Sequence, residues 1–474
     1  MKIIAGYCLL LLYFAVVFLL IGKPVKKYCG VPFSRKLIHI LTGFFWFIYD
    51  AFFGCSIHQI LICFAFCVLA VLSKKFNLIK AIENSTTDSN GTVYYAIAIF
   101  CIMTLSFFVP ALYPLVGFAV IALSVGDGAA TLIGRYTRSK KIYHEKTLFG
   151  FLGCILFSFV GFALYNYFYC NLFGIVDLIL VAMLVGIFEE EDCKGLDNIT
   201  VTFSAFGALV MLTYIADLYP AFIAFIGLFA ICFFCRVMTY HGSLLSAFIG
   251  ASFLKIGGVA VALFLFALYM VIIAAHVYRK VRKIQNKDIV KKSKEKDLMQ
   301  VVANGAVSLV FLYLYLFLQN ERLLVIALIV FANSFVDSVA SDIGSTSSKQ
   351  PYDLFKRKYV DPGCSGGVSW LGSVSAFLAS IAFAAAIVMI KDQSLLVMLY
   401  AIVIMDICCF ADTFMGSCLQ VKYQCPVCGL VTEKEFHHGE KLPKVAGYRF
   451  FNNDTVNLLC SCLCGVLALP VLVL

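Results

Sequence analysis

The sequence predicts an all-α, polytopic integral membrane protein with about 15–16 transmembrane helices in two packed modules. Three observations carry that expectation. Hydrophobic residues make up 62% of the chain and charged residues 14%, with a mean hydropathy of +0.95; soluble domains are about half apolar and about a quarter charged. Apolar runs of about 17–22 residues, the length that spans hydrocarbon as helix, follow one another along the chain. The polar loops between them are positive at every second turn, which puts those loops in the cytoplasm and both termini outside.

Taken in order, Ile3 to Leu20 reads as the first membrane helix rather than a signal peptide, because no small-residue cleavage site precedes Gly22-Lys23-Pro24. Lys23, Lys26, Lys27, Arg35 and Lys36 follow it, then Lys74, Lys75 and Lys80, then Arg135, Arg138, Lys140, Lys141 and Lys146. Later pairs of spans lead to the acidic loop Glu189-Glu190-Glu191-Asp192, to Arg236, to the basic stretch Arg279 to Lys296, to Lys356-Arg357-Lys358, and to the loop with Lys422 and Lys444. Between Leu244 and Tyr278, Gly257-Gly258 breaks the pattern into short or re-entrant pieces. The net charge of +10 is accounted for by these loops, so no nucleic-acid partner is called for. Most of the 20 cysteines lie inside apolar spans and read as small core residues, not a disulfide framework. With no flexible linker in evidence, the modules are expected at residues 1–216 and 221–474, the boundary falling near Asp217 to Pro220.

The first module puts four polar clusters on the cytoplasmic side. Arg35, Lys36 and His39 share a helix face, a triad suited to a diphosphate or, more plainly, to interfacial anchoring with a hydrogen-bonded histidine. Gly126-Asp127-Gly128-Ala129-Ala130, followed by Gly134-Arg135, ends an apolar helix; its aspartate is either functional or a cap for the next helix. Glu145-Lys146-Thr147-Leu148-Phe149-Gly150 offers a cation and a hydroxyl at a helix start, where free amides favour phosphate. The fourth cluster is Glu189, Glu190 and Glu191 with Asp197-Asn198-Ile199-Thr200-Val201.

These residues resemble the phytol kinase and dolichol kinase family, membrane enzymes related to the cytidylyltransferases that activate phosphatidate. Arg-Lys-x-x-His-x-x-x-Gly, Gly-Asp-Gly-x-Ala with a following Gly-Arg, Lys-Thr-x-x-Gly and Asp-Asn-x-Thr-Val occur in the family's order. The resemblance implies phosphoryl transfer from CTP, or another nucleotide, to the hydroxyl of a long isoprenoid alcohol, with Mg²⁺ as cofactor. Such chemistry needs positioning and charge neutralisation more than covalent catalysis. Asp127 is then expected on Mg²⁺, Lys146 and Arg135 on nucleotide phosphates, and Arg35, Lys36 and His39 on phosphate or substrate. Glu189 and Asp197 form a second metal-or-base pair, and Gly126, Gly128, Thr147 and Asn198 complete the phosphate-binding set.

The second module repeats none of these motifs closely. Its clusters are Thr239 to Ser243, Gln300 to Gly305 with Asn304, Asp337 to Gly344 with Asp342, Gly363 to Ser369, Ala411 to Gly416 with Asp412, and Asn452 to Asn457. A carboxylate in hydrocarbon costs about 3 kcal/mol on insertion scales, so Asp337 and Asp412 call for an ion, a base or a wet cavity. Gly363, Ser365, Gly366 and Gly367 suit a phosphate-cradling loop. Over roughly residues 236 to 474 the order of these clusters resembles the membrane family that includes phytyl-phosphate kinase of chlorophyll-phytol salvage, with Asp342 where that family usually carries Glu and Cys364 where it usually carries Thr. The resemblance implies a prenyl-monophosphate kinase in which Asp337, Asp342 and Asp412 are catalytic, Asp337 and Asp412 hold Mg²⁺, and Asn304, Asn453 and Asn457 bind nucleotide or phosphate.

Fusion of the two activities would carry prenyl alcohol through the monophosphate to the diphosphate without losing the intermediate. The expected partners are the bilayer, the isoprenoid alcohol, its monophosphate and the nucleotide. The expected location is the inner cell membrane or an endomembrane, with both sites on the cytoplasmic face. Cys425, Cys428, His437 and His438 share one loop and suggest a structural Zn²⁺, although adjacent histidines rarely both ligate and a redox or purely structural loop is the competing reading. Two other functions compete: a cytidylyltransferase acting on a lipid phosphate, and a lipid or isoprenoid transporter. A transporter calls for inverted symmetry and mid-span charges, whereas these polar motifs gather at one face.

Overall fold

Hydrocarbon offers no partner for a backbone amide or carbonyl, so a chain this apolar pairs them inside helices. The computed structural model describes residues 1–76, 90–143, 146–189, 195–215, 219–282, 296–360, 364–429, 431–433, 435–437 and 440–474. Among the described residues thirteen helices are long and apolar enough to cross a membrane. The chain is thus an α-helical, polytopic membrane protein, and it divides into two compact units, Met1–Leu218 and Tyr219–Leu474.

The first unit contains α1 (Lys2–Cys29), α2 (Val31–Phe53), α3 (His58–Phe76), α4 (Gly91–Phe108), α5 (Pro110–Tyr136), α6 (Leu148–Cys170), α7 (Ile175–Glu189) and α8 (Asp197–Ile215). Gly30, at φ +83, separates α1 from α2, and Pro32 starts the new helix. The centre is α5, whose residues Leu115 to Leu123 are all buried. A helix apolar on every side belongs in the middle, and α5 packs against α2, α4, α6, α7 and α8. Its ladder widens into a π-helical turn at Ala122–Gly126, immediately before Asp127. Beyond α5 the strands β1 (Lys141–Tyr143) and β2 (Lys146–Thr147) form an antiparallel hairpin. Thr147 ends it and caps α6, its hydroxyl accepting the Gly150 amide at 3.3 Å.

The second unit contains α9 (Tyr219–Phe234), α10 (Tyr240–Ser252), α11 (Val259–Val281), α12 (Leu298–Leu318), α13 (Glu321–Gly344), α14 (Trp370–Lys391), α15 (Leu395–Cys418) and α16 (Asn453–Ala468). A π-helical turn, Phe253–Gly257, follows α10 and ends at Gly258 (φ +87), where the sequence predicts a break. The central helix is α13, fully buried from Leu323 to Ala332. Strands β3 (Tyr352–Asp353), β4 (Lys358–Tyr359) and β5 (Gly367–Val368) form an antiparallel sheet of order β4-β3-β5, and Ser369 then caps α14 by accepting the Gly372 amide at 3.1 Å. Between α15 and α16 lie β6 (Lys422–Gln424), β7 (Val431–Thr432), β8 (Phe436–His437), β9 (Glu440–Lys441) and β10 (Lys444–Ala446), paired as β10-β6-β7 and β8-β9.

The five helices α4 to α8 and the five helices α12 to α16 pack in the same order. The second of each set is central and touches the other four, and the fifth returns to the first. The sequence shows no close repeat because a lipid-facing position accepts any large apolar side chain, so helix packing persists while residues diverge.

Candidate functional site

In the first unit, Lys36 and His39 stand three residues apart on α2 and therefore on one face. Lys36 Nζ reaches Asp127 Oδ1 at 2.6 Å, and His39 Nε2 lies 3.0 Å from Asp127 Oδ2. That nitrogen also donates to the Leu123 carbonyl at 2.7 Å. A carbonyl only accepts, so Nε2 carries the proton and the other ring nitrogen, Nδ1, is left basic in the neutral imidazole. Asp127 is 1% exposed and sits behind both side chains. Its Oδ2, although near the histidine, takes no hydrogen bond.

Lys146, at the end of the hairpin, donates to the Glu189 carboxylate at 2.5 Å and to the Glu189 carbonyl at 2.6 Å. Burial alone would lower its pKa, but the carboxylates of Glu189, Asp197 and Asp127 outweigh burial and hold the ammonium above its ordinary value. Among the described residues the buried oxygens Asp127 Oδ2, Glu189 Oε2 and Asn198 Oδ1 have no hydrogen-bond donor. Orphaned acceptors at a site this deeply buried suit a cation, and an all-oxygen set suits Mg²⁺. Asp127, Glu189, Asp197 and Asn198 are the residues that would hold it. In this structure, among the described residues, they are not close enough together to form a ready ligand group, and the Lys146 ammonium stands among them instead.

A cavity of about 1020 Å³ opens on these groups. Its lining includes Lys23, Lys26, Arg35, Lys36 and Lys146, with His39, Asp197 and Asn198, and also Leu10, Phe14, Phe18, Leu61, Phe66 and Leu69. Lys36 is already paired with Asp127 and Lys146 with Glu189, so with Asp197 five cations meet three carboxylates; the remaining positive charge favours an anion, and the apolar lining suits hydrocarbon. Lys23 and Lys26 read from sequence only as topology signals. Tyr95 also went unread: its ring packs on His39 at 4.7 Å and its hydroxyl accepts from Thr42 at 3.4 Å.

Four expected phosphate ligands take other places. Gly126 and Gly128 lie in continuous helix, where a Cβ would fall 2.2 Å from Ser158 Oγ and 2.2 Å from Ile40 respectively. Their missing side chains let helices approach, and their amides belong to the helix ladder. Arg135, in the last turn of α5, points outward and is exposed. Thr147 uses its hydroxyl to cap α6.

In the second unit, Asp337 lies on α13, and Asp412 on α15 accepts from the thiol of Cys460 on α16, 3.7 Å from Asp412 Oδ2. Asp342 is elsewhere: Arg279 holds it at 2.8 Å, with His276 at 3.7 Å. Five residues advance a helix by about 140° net, so Asp337 and Asp342 face different neighbours. The Asn304 carbonyl accepts the Ser334 hydroxyl at 3.2 Å. Asn453 opens α16 with its amide nitrogen buried and unpaired, and Asn457 follows one turn later, half-buried.

The glycine loop is anchored more than open. Gly366, at φ +85, lies so near α15 that a Cβ would fall 2.5 Å from Ser417 Cα, while Gly367 is in β5. Ser365 donates to the Glu433 carboxylate and accepts from Lys422 at 2.7 Å through its carbonyl. Burial, then the neighbouring Lys356, holds the Lys422 pKa down. Ser417 donates to both oxygens of Asp353, at 2.7 and 2.8 Å. Gly363 and His438, with Glu190 and Glu191 of the acidic loop and residues 283–295 of the basic stretch, lie outside the described residues. Cys425 packs in an apolar cluster with Val421, Tyr423 and Leu442, and Cys428 is exposed. For His437 only the backbone, in β8, is described. The described side chains thus bring at most a cysteine pair to a zinc ion, which falls short of the four ligands a structural site needs.

Helices that span a bilayer, central carboxylates and polar residues at helix ends define an integral membrane protein with internal polar sites. Residues 222–465 match the family described as integral membrane protein DUF92, and the chain belongs to it. No curated protein matches the chain. No solved structure matches it either.

Proposed function

We propose that the first unit phosphorylates the hydroxyl of a membrane-held isoprenoid alcohol, using CTP or another nucleoside triphosphate with Mg²⁺, and that the second unit phosphorylates the resulting monophosphate. The observation that carries this reading is one cavity lined both by five cations and by Leu and Phe side chains. Each buried CH₂ is worth about 0.8 kcal/mol, so a prenyl tail stays in the apolar part while its head meets the cations. Lys146, Lys36, Arg35, Lys23 and Lys26 then face the nucleotide phosphates. His39 Nδ1 takes the alcohol proton as the hydroxyl oxygen attacks the γ-phosphorus; the bond from that phosphorus to the β–γ bridging oxygen breaks, and CDP leaves. Asp127 fixes Lys36 and His39 in place. When bound, Mg²⁺ would neutralise charge on the transferring phosphoryl group.

The second step forms a phosphoanhydride when an oxygen of the lipid monophosphate attacks the γ-phosphorus of a second nucleotide, the bond from that phosphorus to the β–γ bridging oxygen breaks and the nucleoside diphosphate leaves, with Asp337 and Asp412 as the acidic pair. Membranes containing the protein are incubated with geranylgeraniol, farnesol or phytol, Mg²⁺ and CTP labelled at the γ-phosphate. Label in lipid mono- and diphosphate is expected. Label released only as pyrophosphate points to cytidylyl transfer, and unlabelled lipid with no nucleotide turnover overturns both reactions. Asp337→Ala should accumulate monophosphate; unchanged diphosphate output removes Asp337 from the second step.

A further inference from the structure

We infer that the cavity of the first unit lies open to the bilayer along one side, between α1 and α3, and that the isoprenoid alcohol enters it sideways past Ala15 and Ala65. The identity of the alcohol rests on the function proposed above; the opening rests on the two helices that border it. On α1 the cavity is lined by Leu11, Ala15 and Leu19, and on α3 by Leu61, Ala65 and Leu69. All six are also exposed. Steps of four keep each trio on one face of its helix, and both helices are long and apolar enough to span a membrane. A residue that lines a cavity and also meets the protein's surroundings marks the cavity's edge, and along a membrane span those surroundings are hydrocarbon.

The two edges match in height. The Tyr7 hydroxyl of α1 and His58 Nδ1 of α3 are 2.8 Å apart, and further along the rings of Phe14 and Phe66 meet with centroids 4.8 Å apart. These contacts recur after nearly the same number of residues on each helix, so α1 and α3 run side by side in the same direction. Ala15 then stands level with Ala65 to within about 3 Å, two residues of helical rise. Leu-Ala-Leu thus faces Leu-Ala-Leu, and the two methyl side chains leave a notch halfway along the edges, beside the Phe14 and Phe66 rings.

The next step of four along α1 reaches Lys23, which lines the same cavity. From Tyr7 to Lys23 the lining follows α1 for about 24 Å, most of the roughly 30 Å that hydrocarbon measures. A tail that slides in between the edges stays in apolar surroundings throughout and brings its hydroxyl to the cations, whereas entry through water would expose every CH₂ of it.

Ala15→Trp and Ala65→Trp, made separately, fill the notch from either side. Leu12→Trp and Val68→Trp, exposed on the same helices but off the cavity, are the controls. With geranylgeraniol in lipid nanodiscs, each alanine variant should raise the KM for the alcohol by about 10- to 200-fold, the range that a misfit in an apolar pocket produces. The KM for CTP and kcat should stay as they are, since only binding of the tail is lost. 3-Methylbut-2-en-1-ol, short enough to arrive from water, should be phosphorylated as well by the variants as by the wild type. An equal loss for both alcohols, or an unchanged KM for geranylgeraniol, overturns the side entry. Photolabelling reads the opening without catalysis: a geranylgeraniol analogue with a diazirine in its tail is irradiated in the nanodiscs and the labelled residues are located by mass spectrometry. Label at the six edge residues, competed by geranylgeraniol and weakened in both alanine variants, is expected. If that label appears and no phosphoryl transfer does, the proposed function falls and the opening stands. Label spread evenly over the lipid-facing helices, or competed equally by diacylglycerol, overturns this inference whether or not the protein is a kinase.

Discussion

The two central helices, α5 and α13, solve one problem differently. Each is buried along most of its length and each carries an aspartate, but Asp127 is met by an ammonium and an imidazole, whereas in the second unit the Cys460 thiol donates to Asp412 on the neighbouring α15. A buried carboxylate with a cation beside it is already neutralised and serves to position that cation. Asp412 instead accepts from a thiol, a neutral and weak donor. The first unit therefore holds its central aspartate in an ion pair, and the second sets Asp412 against a thiol.

The largest expected effect tests this contrast directly. Lys36→Met strands the charge of Asp127 and should destabilise the first unit by about 3–5 kcal/mol, read as a lower unfolding temperature in nanodiscs. Cys460→Ser, by contrast, exchanges one neutral donor for another and should cost about 1 kcal/mol. Equal losses from the two variants would remove the distinction. Next come the paired helix joints: Gly150→Ala and Gly372→Ala each push a methyl against a backbone carbonyl, for about 1–3 kcal/mol apiece. If one costs much more than the other, the joints are alike in shape only.

Smaller still are the caps. Thr147→Ala and Ser369→Ala each lose a side-chain acceptor at a helix start and should cost about 1 kcal/mol, measured in the same way. The smallest effect is a pH dependence found in the second unit. Burial raises the Asp353 pKa, but the Lys356 and Phe355 amides and the Ser417 hydroxyl outweigh it and hold the carboxyl below its usual value. Its contribution to stability is present above the unfolded value of about 3.9 and is lost as pH falls through the lower folded value. Unfolding followed from neutral pH into that acid range should lose this component in Asp353→Asn; an unchanged profile removes Asp353 as its source.

The helices were legible because hydrocarbon leaves the backbone little choice, and apolar runs of spanning length announce themselves. Of the residues the sequence singles out, Lys36, His39, Lys146, Asp197 and Asn198 line one cavity although they come from distant parts of the chain. What the glycines of the Gly126-Asp127-Gly128 motif do was not legible, since a glycine that admits a phosphate and one that admits a neighbouring helix are the same residue. Asp342 was misleading for a related reason. Clustering in sequence places it near Asp337, but the helical turn sends it to Arg279.

Amino-acid order alone determined that the chain lives in a bilayer as helices and that its polar residues gather at helix ends, because the cost of unpaired backbone and charge in hydrocarbon acts on every residue whatever its distant neighbours. The tertiary structure decided which charges meet, where the amphipathic cavity opens, and that five helices of each unit share one packing order. Those outcomes depend on contacts between segments far apart in the chain, and lipid-facing positions tolerate too many side chains to record them.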